Sequence, residues 1–401
     1  MEAARELETL ERVLRHARRS PFYRERLPET LRSWEDFKRI PFTTKKDLRQ
    51  HSPEGLVCVP NHELLQYHES SATTGTPVSV WFSGTDLEEI HERFSRWGVG
   101  FTSEDRVLIR FPYALSTIGH FVHAAAQHRR ACVVPADSRS SITPMPRVLE
   151  LMRKLHVTVL ATISLSAVML AESAELAGLD PRRDFPHLRA ICCAGEPLTP
   201  FRRQLVEELW GVPVYDNYGM TETGPQATDC QERHLHPWKD LFFMELLDEH
   251  LEKEAAPGEI GQLVVTTLVP RATPMIRCPT GDRVRRLERP CACGETTTLE
   301  LRGRWEETPR INGRAFDLHT LEEIVSQLPC RRFWRATSMP DGLHFVVEQE
   351  KDVRHVAPGL VERLEHAHGI RLKVDLVPKG TLYDRREPLS FGMKGKPVYI
   401  A

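Results

Sequence analysis

At 401 residues, with 40% hydrophobic residues, 27% charged residues and a net charge of −2, the chain is long enough for one large core and a smaller domain. It carries no basic excess that would favour nucleic acid or an anionic membrane, so a small molecule is the expected partner. No run approaches the ~20 apolar residues that span a bilayer, and residues 1–19 read as a charged amphipathic helix without an apolar signal core, so a cytoplasmic protein is expected.

In chain order, Leu7, Leu10 and Leu14 recur at helical spacing until Ser20-Pro21-Phe22-Tyr23 ends the helix. Pro41-Phe42-Thr43-Thr44-Lys45 reads as a capped helix start. Next comes Glu69-Ser70-Ser71-Ala72-Thr73-Thr74-Gly75-Thr76-Pro77, a row of hydroxyls around one glycine that can surround a polyphosphate with donors. The strand-like stretch 78–82 follows it. It is not a P-loop of the G-x-x-x-x-G-K-[ST] type.

From Asp105 buried-strand candidates (107–111, 131–134, 157–161, 190–193, 212–215) alternate with helix candidates (117–128, 144–155, 166–176, 200–209). That alternation predicts an α/β fold built on layered, mostly parallel sheets, with ligands at the carboxyl ends of the strands. Two stretches then fall at one rim: Ala194-Gly195-Glu196-Pro197, and Asp216-Asn217-Tyr218-Gly219-Met220-Thr221-Glu222. Tyr218 offers a flat face for a base, Gly219 room for the backbone to approach, and Thr221 with Glu222 oxygens for a phosphate and its Mg2+.

Beyond about Asp240 the stretches 242–247 and 258–267 predict antiparallel hairpins or a small barrel-like part, closed by Thr280-Gly281-Asp282. Past Gly303-Arg304 the chain reads as a small α+β module, with helices near 320–328 and 358–368 and strands near 343–348 and 373–377. The expected domains are therefore 1–304 and 305–401.

Nine cysteines, an odd count, favour reduced thiols or metal ligands over a disulfide framework. Cys230, His236 and the knuckle Cys291-x-Cys293-Gly294 have the ligand types and number of a closed tetrahedral Zn2+ site, with His234 able to replace His236. Cys192 and Cys193, ending a buried strand, read as core.

Taken together and in this order, these stretches resemble the adenylate-forming enzymes, nearest the phenylacetate-CoA ligase branch. The resemblance runs from Ser20-Pro21-Phe22-Tyr23-Arg24 to the C-terminal lysines. It implies ATP-dependent activation of a carboxylic acid to an acyl-adenylate, then transfer to a thiol, expected to be CoA. A carrier protein or an amine is the alternative acceptor, and a non-catalytic nucleotide-binding relative is a third reading. The sequence leaves a homodimer open. Site residues follow from the resemblance too. Ser70, Ser71, Thr73, Thr74 and Gly75 would handle the ATP phosphates, and Gly195, Glu196 and Pro197 with Asp216, Asn217 and Tyr218 would line the adenine pocket of ATP or AMP. Thr221 and Glu222 would sit at the α-phosphate and Mg2+, Asp282 at the ribose, and Arg304 just beyond it. Lys394 is aligned with the lysine that bridges carboxylate and phosphate, with Lys396 the close second.

The resemblance also assigns 111–120 to the acid pocket, where Tyr113, Ile118, Gly119 and His120 would line a flat ring and Pro225 close its far side. Ser116, Thr117 and His120 stand where relatives have glycines and apolar groups, so an aromatic or heteroaromatic acid bearing a polar substituent is expected. Relatives carry a cysteine–histidine cluster similar to the one above. Three departures stand out: Ala72 replaces a glycine, Thr76 replaces a lysine, and Arg314-Ala315-Phe316-Asp317-Leu318 follows Gly313 where relatives have a Val-Asn-Val-Phe-Pro-like run.

Overall fold

The computed structural model describes residues 2–70, 76–350 and 353–383. The chain forms two compact units: Met1–Asp105, Pro112–Val133 and Tyr215–Glu300 make the first, and Arg106–Phe111, Val134–Val214 and Leu301–Ala401 the second.

In the second unit the strands Arg106–Ile109, Val159–Thr162 and Ala190–Ala194 pair in parallel, Val107 opposite Val159 and Leu160 opposite Ile191. The strands Val159–Thr162 and Ala190–Ala194 are buried at every residue, as expected of parallel strands covered on both faces. The helices Met145–Lys154, Ser164–Leu176 and Pro200–Trp210 accompany them. Ser164–Leu176 is buried over most of its circumference, which explains its apolar composition all round.

Residues from 301 onward belong to this same unit. A three-stranded sheet, Trp334–Met339, Gly342–Glu348 and Arg371–Val377, pairs antiparallel and then parallel. The helices Leu318–Ser326 and Leu360–His368 cover it over a core of Leu321, Ile324, Trp334 and Phe345. Phe333 and Tyr383 reach past this module into the core formed by Val168, Ala171 and Trp210.

A buried polar contact joins the two parts of the second unit. Arg202 Nε and Nη2 donate to Glu322 Oε1 at 2.9 and 2.6 Å, and the Thr199 hydroxyl donates to Glu322 Oε2. All three residues are 1% exposed. Two outer pairs flank it, Arg332 with Glu175 at 2.6 Å and Lys379 with Glu172 at 2.7 Å.

In the first unit the antiparallel hairpin Leu64–Glu69 and Ser79–Ser83 leads into the helix Gly84–Ser95, begun by a reciprocal capping box between Ser83 and Asp86. The expected barrel-like part is a four-stranded sheet in the order Phe242–Leu247, Ile260–Thr267, Cys278–Glu288 and Thr297–Arg304, antiparallel along its first three members. Among the described residues no helix is long and apolar enough to cross a membrane.

Candidate active site

The stretch expected to be a short strand followed by a turn is mostly strand. Val214–Met220 runs antiparallel to Gly224–Asp229, and the turn is confined to Thr221–Thr223. Two contacts fix its start: the Asp216 amide donates to Asp229 Oδ2 at 2.7 Å, and Trp97 Nε1 donates to the Asp216 carbonyl at 2.8 Å. With the backbone held, Tyr218 OH donates to Asp282 Oδ2 at 2.7 Å, which brings together the residues expected at the base and at the ribose. Asp282 is set by Gly281, at φ 81°, and by the Thr280 hydroxyl, which accepts from its amide at 3.0 Å. Asn217 is 3% exposed, and its Oδ1 accepts no hydrogen bond among the described residues, an acceptor that an exocyclic amino group would satisfy.

Gly219 is required by its neighbouring strand. A Cβ there would lie 2.5 Å from the Gly224 carbonyl oxygen and 2.8 Å from Pro225 Cα, so the neighbouring strand, in register with it, requires the glycine. Glu222 is 5% exposed and shares a narrow cleft with Thr223, Asp86 and Arg271. Thr221 opens the turn, half-buried.

Ser70 closes the base of the hydroxyl loop: its amide donates to the Val78 carbonyl at 2.9 Å and its Oγ accepts from the Val78 amide at 3.0 Å. Ser71, Thr73, Thr74 and Gly75 lie outside the described residues, as do Lys394 and Lys396.

The stretch expected at the acid pocket folds onto the start of the helix Thr117–His128. His120 Nε2 and the Tyr113 carbonyl are 3.0 Å apart, and Tyr113 OH lies 3.3 Å from His123 Nδ1. A Cβ on Gly119 would meet the Pro112 carbonyl oxygen at 2.7 Å, so close packing demands this glycine. Ile118 is half-buried and Pro225 buried. Sequence reasoning missed His68, whose ring centroid is 5.3 Å from that of His120. A single histidine in a strand gives no signal of its own.

Burial, then the nearby His120, pushes His68 down to about 4 from 6.5, against the pull of the Leu115 carbonyl. The unfolded chain therefore takes up this proton first. Stability from His68 is fully present above pH 6.5 and is lost as pH falls towards about 4. Between pH 7 and 4.5 the wild type should lose roughly 2 kcal/mol more unfolding free energy than His68→Asn, measured by urea titration.

The second unit holds the remaining expected residues. Glu196 Oε1 accepts from Ser164 Oγ at 2.5 Å and from the Leu165 amide at 2.8 Å, and so caps the first turn of Ser164–Leu176. Gly195 adopts φ 87°, and Pro197 follows half-buried. Arg304 ends Thr297–Arg304, its carbonyl accepting from the Thr308 hydroxyl at 2.5 Å. In the departing stretch after Gly313, Asp317 caps Leu318–Ser326 and holds Arg302 at 2.9 and 3.0 Å.

Elsewhere in the first unit, one ligand atom from each of Cys230, His236, Cys291 and Cys293 lies within 4.8 Å of the others. Cys230 and Cys291 Sγ are 3.7 Å apart, close to the edge of about 3.8 Å expected for a tetrahedron of Zn–S bonds. His236 Nδ1 lies 2.6 Å from the Thr297 carbonyl, which turns Nε2 towards Cys293 Sγ at 3.3 Å. His234 Nδ1 approaches Cys291 Sγ at 3.3 Å. The Cys293 amide, first, and His234 hold the Cys291 thiol down at about 6, whereas burial pushes Cys230 up to about 12. The loop carrying Cys230 rests on Gly98, whose amide donates to the Asp229 carbonyl at 2.8 Å and where a Cβ would fall 2.3 Å from the Cys230 oxygen.

Comparison with known proteins agrees with this geometry. Residues 20–268 match the family described as AMP-binding enzyme. The phenylacetate-coenzyme A ligase of Thermus thermophilus is 29% identical over 93% of this chain and 92% of its own, and that of Aromatoleum evansii 30% identical over 81% and 76%. A crystal structure of 2-hydroxyisobutyryl-CoA ligase in the postadenylation state superposes with TM-score 0.86 at 24% identity, covering 100% of this chain and 89% of that one. The same enzyme with 2-HIB-AMP and CoA in the thioesterification state gives TM-score 0.70 at 25% identity, with the same coverage.

Proposed function

Because the chain belongs to the AMP-binding enzyme family, in its phenylacetate-CoA ligase-like branch, we propose that it is an AMP-forming acid–CoA ligase acting on an aromatic or heteroaromatic acid. The observation that carries the reading is the pair Tyr218–Asp282 at 2.7 Å, which joins the residue expected at the base to the one expected at the ribose. A phenol ring and a carboxylate match two things a bound adenosine presents: a flat base and ribose hydroxyls.

In the first half-reaction the acid's carboxylate oxygen attacks the α-phosphorus of ATP in line, the bond to the β-phosphate oxygen breaks, and pyrophosphate leaves with that electron pair. In the second, the CoA sulfur attacks the acyl carbon, AMP leaves, and the thiol proton is released. Glu222 and Thr221 offer hard oxygen ligands suited to Mg2+, which would neutralise phosphate charge when bound. Ser70 and the hydroxyls after it would donate to phosphoryl oxygens, Lys394 would bridge carboxylate and phosphate, and 305–401 would act as the lid. Tyr113, His120 and Pro225 would bound the acid.

Acid-dependent exchange of pyrophosphate into ATP, followed by CoA-dependent AMP release, tests this reading. A preference for long unsubstituted fatty acids would remove the aromatic assignment, and no exchange with any of a broad panel of acids would remove the enzyme.

The cysteine–histidine cluster suits a structural Zn2+ with all four positions filled by protein. Purified protein should contain one zinc per chain. Replacing Cys291 and Cys293 by serine should abolish it and lower the unfolding midpoint by about 5–10 °C. A metal-free protein with an unchanged midpoint would return the four side chains to ordinary thiols and a histidine.

A further inference from the structure

We infer that His68 selects the acid by accepting a hydrogen bond from a hydroxyl or amino group on its ring; this rests on the acid site proposed above. His68 is 3% exposed, and its Nδ1 has no hydrogen-bond partner among the described residues. The other ring nitrogen, Nε2, is 3.0 Å from Gln66 Oε1. An amide oxygen can only accept, so with Gln66 oriented in this way Nε2 carries the proton and Nδ1 is the lone-pair acceptor.

Among the described residues no donor fills that role; the Leu115 carbonyl, which also faces the ring, is itself an acceptor. Phe82 and Phe121 stand 5.9 and 6.2 Å away, ring to ring, and the nearby His120 already directs Nε2 at the Tyr113 carbonyl. A buried acceptor without a donor is costly, and such positions persist where a ligand completes them. His68 stands two residues before Ser70 in the chain, and its ring packs against that of His120, one of the side chains proposed for the acid. A group on the acid reaching Nδ1 must bring its own hydrogen. Hydroxyl and amino substituents do; methoxy and halogen do not.

The test is exchange kinetics with ring acids differing only in one substituent: hydrogen, methoxy, hydroxyl or amino. The wild type should favour the best hydroxyl or amino acid over its hydrogen and methoxy counterparts by about 10- to 100-fold in kcat/KM. His68→Phe should bring that ratio within about threefold. His68→Asn, whose Oδ1 stands near the place of Nδ1, should keep the preference. The inference is overturned if the ratio survives in His68→Phe or if both variants lose all acids equally. It is overturned equally if the wild type, which needs no substitution to fold, does not distinguish hydroxyl from methoxy. Absence of exchange with every acid is a different failure, since it removes the proposed ligase itself.

Discussion

Glu322→Ala should destabilise the chain by about 3–5 kcal/mol, because it leaves the Arg202 guanidinium uncompensated where both residues are 1% exposed. The lost Coulomb attraction is the smaller part of that cost. Desolvating a charge without a partner is the larger, and the Thr199 hydroxyl loses its acceptor at the same time. Urea unfolding of the variant reads the effect directly. The apolar double variant Arg202→Met with Glu322→Leu provides the control, and it should recover most of the loss because a buried ion pair barely outweighs well-packed side chains. A change below about 1 kcal/mol in the single variant would mean that water reaches the pair and screens it. The exposed pair Arg371–Asp341, with both side chains more than half exposed, should give no more than that when broken.

Lys394→Ala should lower acid-dependent pyrophosphate exchange by about 10²–10³-fold, the usual consequence of removing one donor aimed at charge that develops in the transition state. Lys396→Ala should lower it by less than about tenfold, as expected of a lysine that serves only the general field. The assay that tests the proposed function measures both, with CoA-dependent AMP release from preformed acyl-adenylate as the second readout. A lysine acting only in adenylation leaves that second step near wild type. The reverse order of effects would move the bridging role to Lys396, and equal small effects would leave both as solvated tail residues.

Much of the layered architecture could be read from residue patterns alone, since buried parallel strands are short apolar runs and their helices repeat at 3.6 residues. Phe242–Leu247 and Thr117–His128 lie where the pattern put them. The helix Gly84–Ser95 carried its signal too, in Leu87, Ile90 and Phe94 and in the Ser83–Asp86 capping box, but it lies hidden behind the hydroxyl loop that draws attention first. Trp334–Met339 offered less, because Arg335, Thr337 and Ser338 make a polar strand whose register comes from its neighbour Gly342–Glu348.

The candidate site divides in the same way. Cysteines and a histidine are legible because few other roles suit Cys-x-Cys-Gly, and Tyr218 and Asp282 because their order in the chain matched a known pattern. Gly219 was legible as a glycine but not in its purpose, since the sequence cannot say whether a ligand or a strand makes the close approach. Arg202 and Glu322 were invisible: residues 120 apart leave no local trace of a pairing. His68 was invisible for a related reason, as its interest lies in what it does not contact.

The fit of Gly98 under the Cys230 carbonyl has a practical corollary for anyone transplanting the cysteine–histidine loops into another scaffold. The ligands alone would be an incomplete graft, for the floor beneath them lies more than a hundred residues earlier in the chain and admits no methyl group. A recipient with alanine at that floor would push the first sulfur outwards and bind its ion weakly, although every donor atom had been copied faithfully.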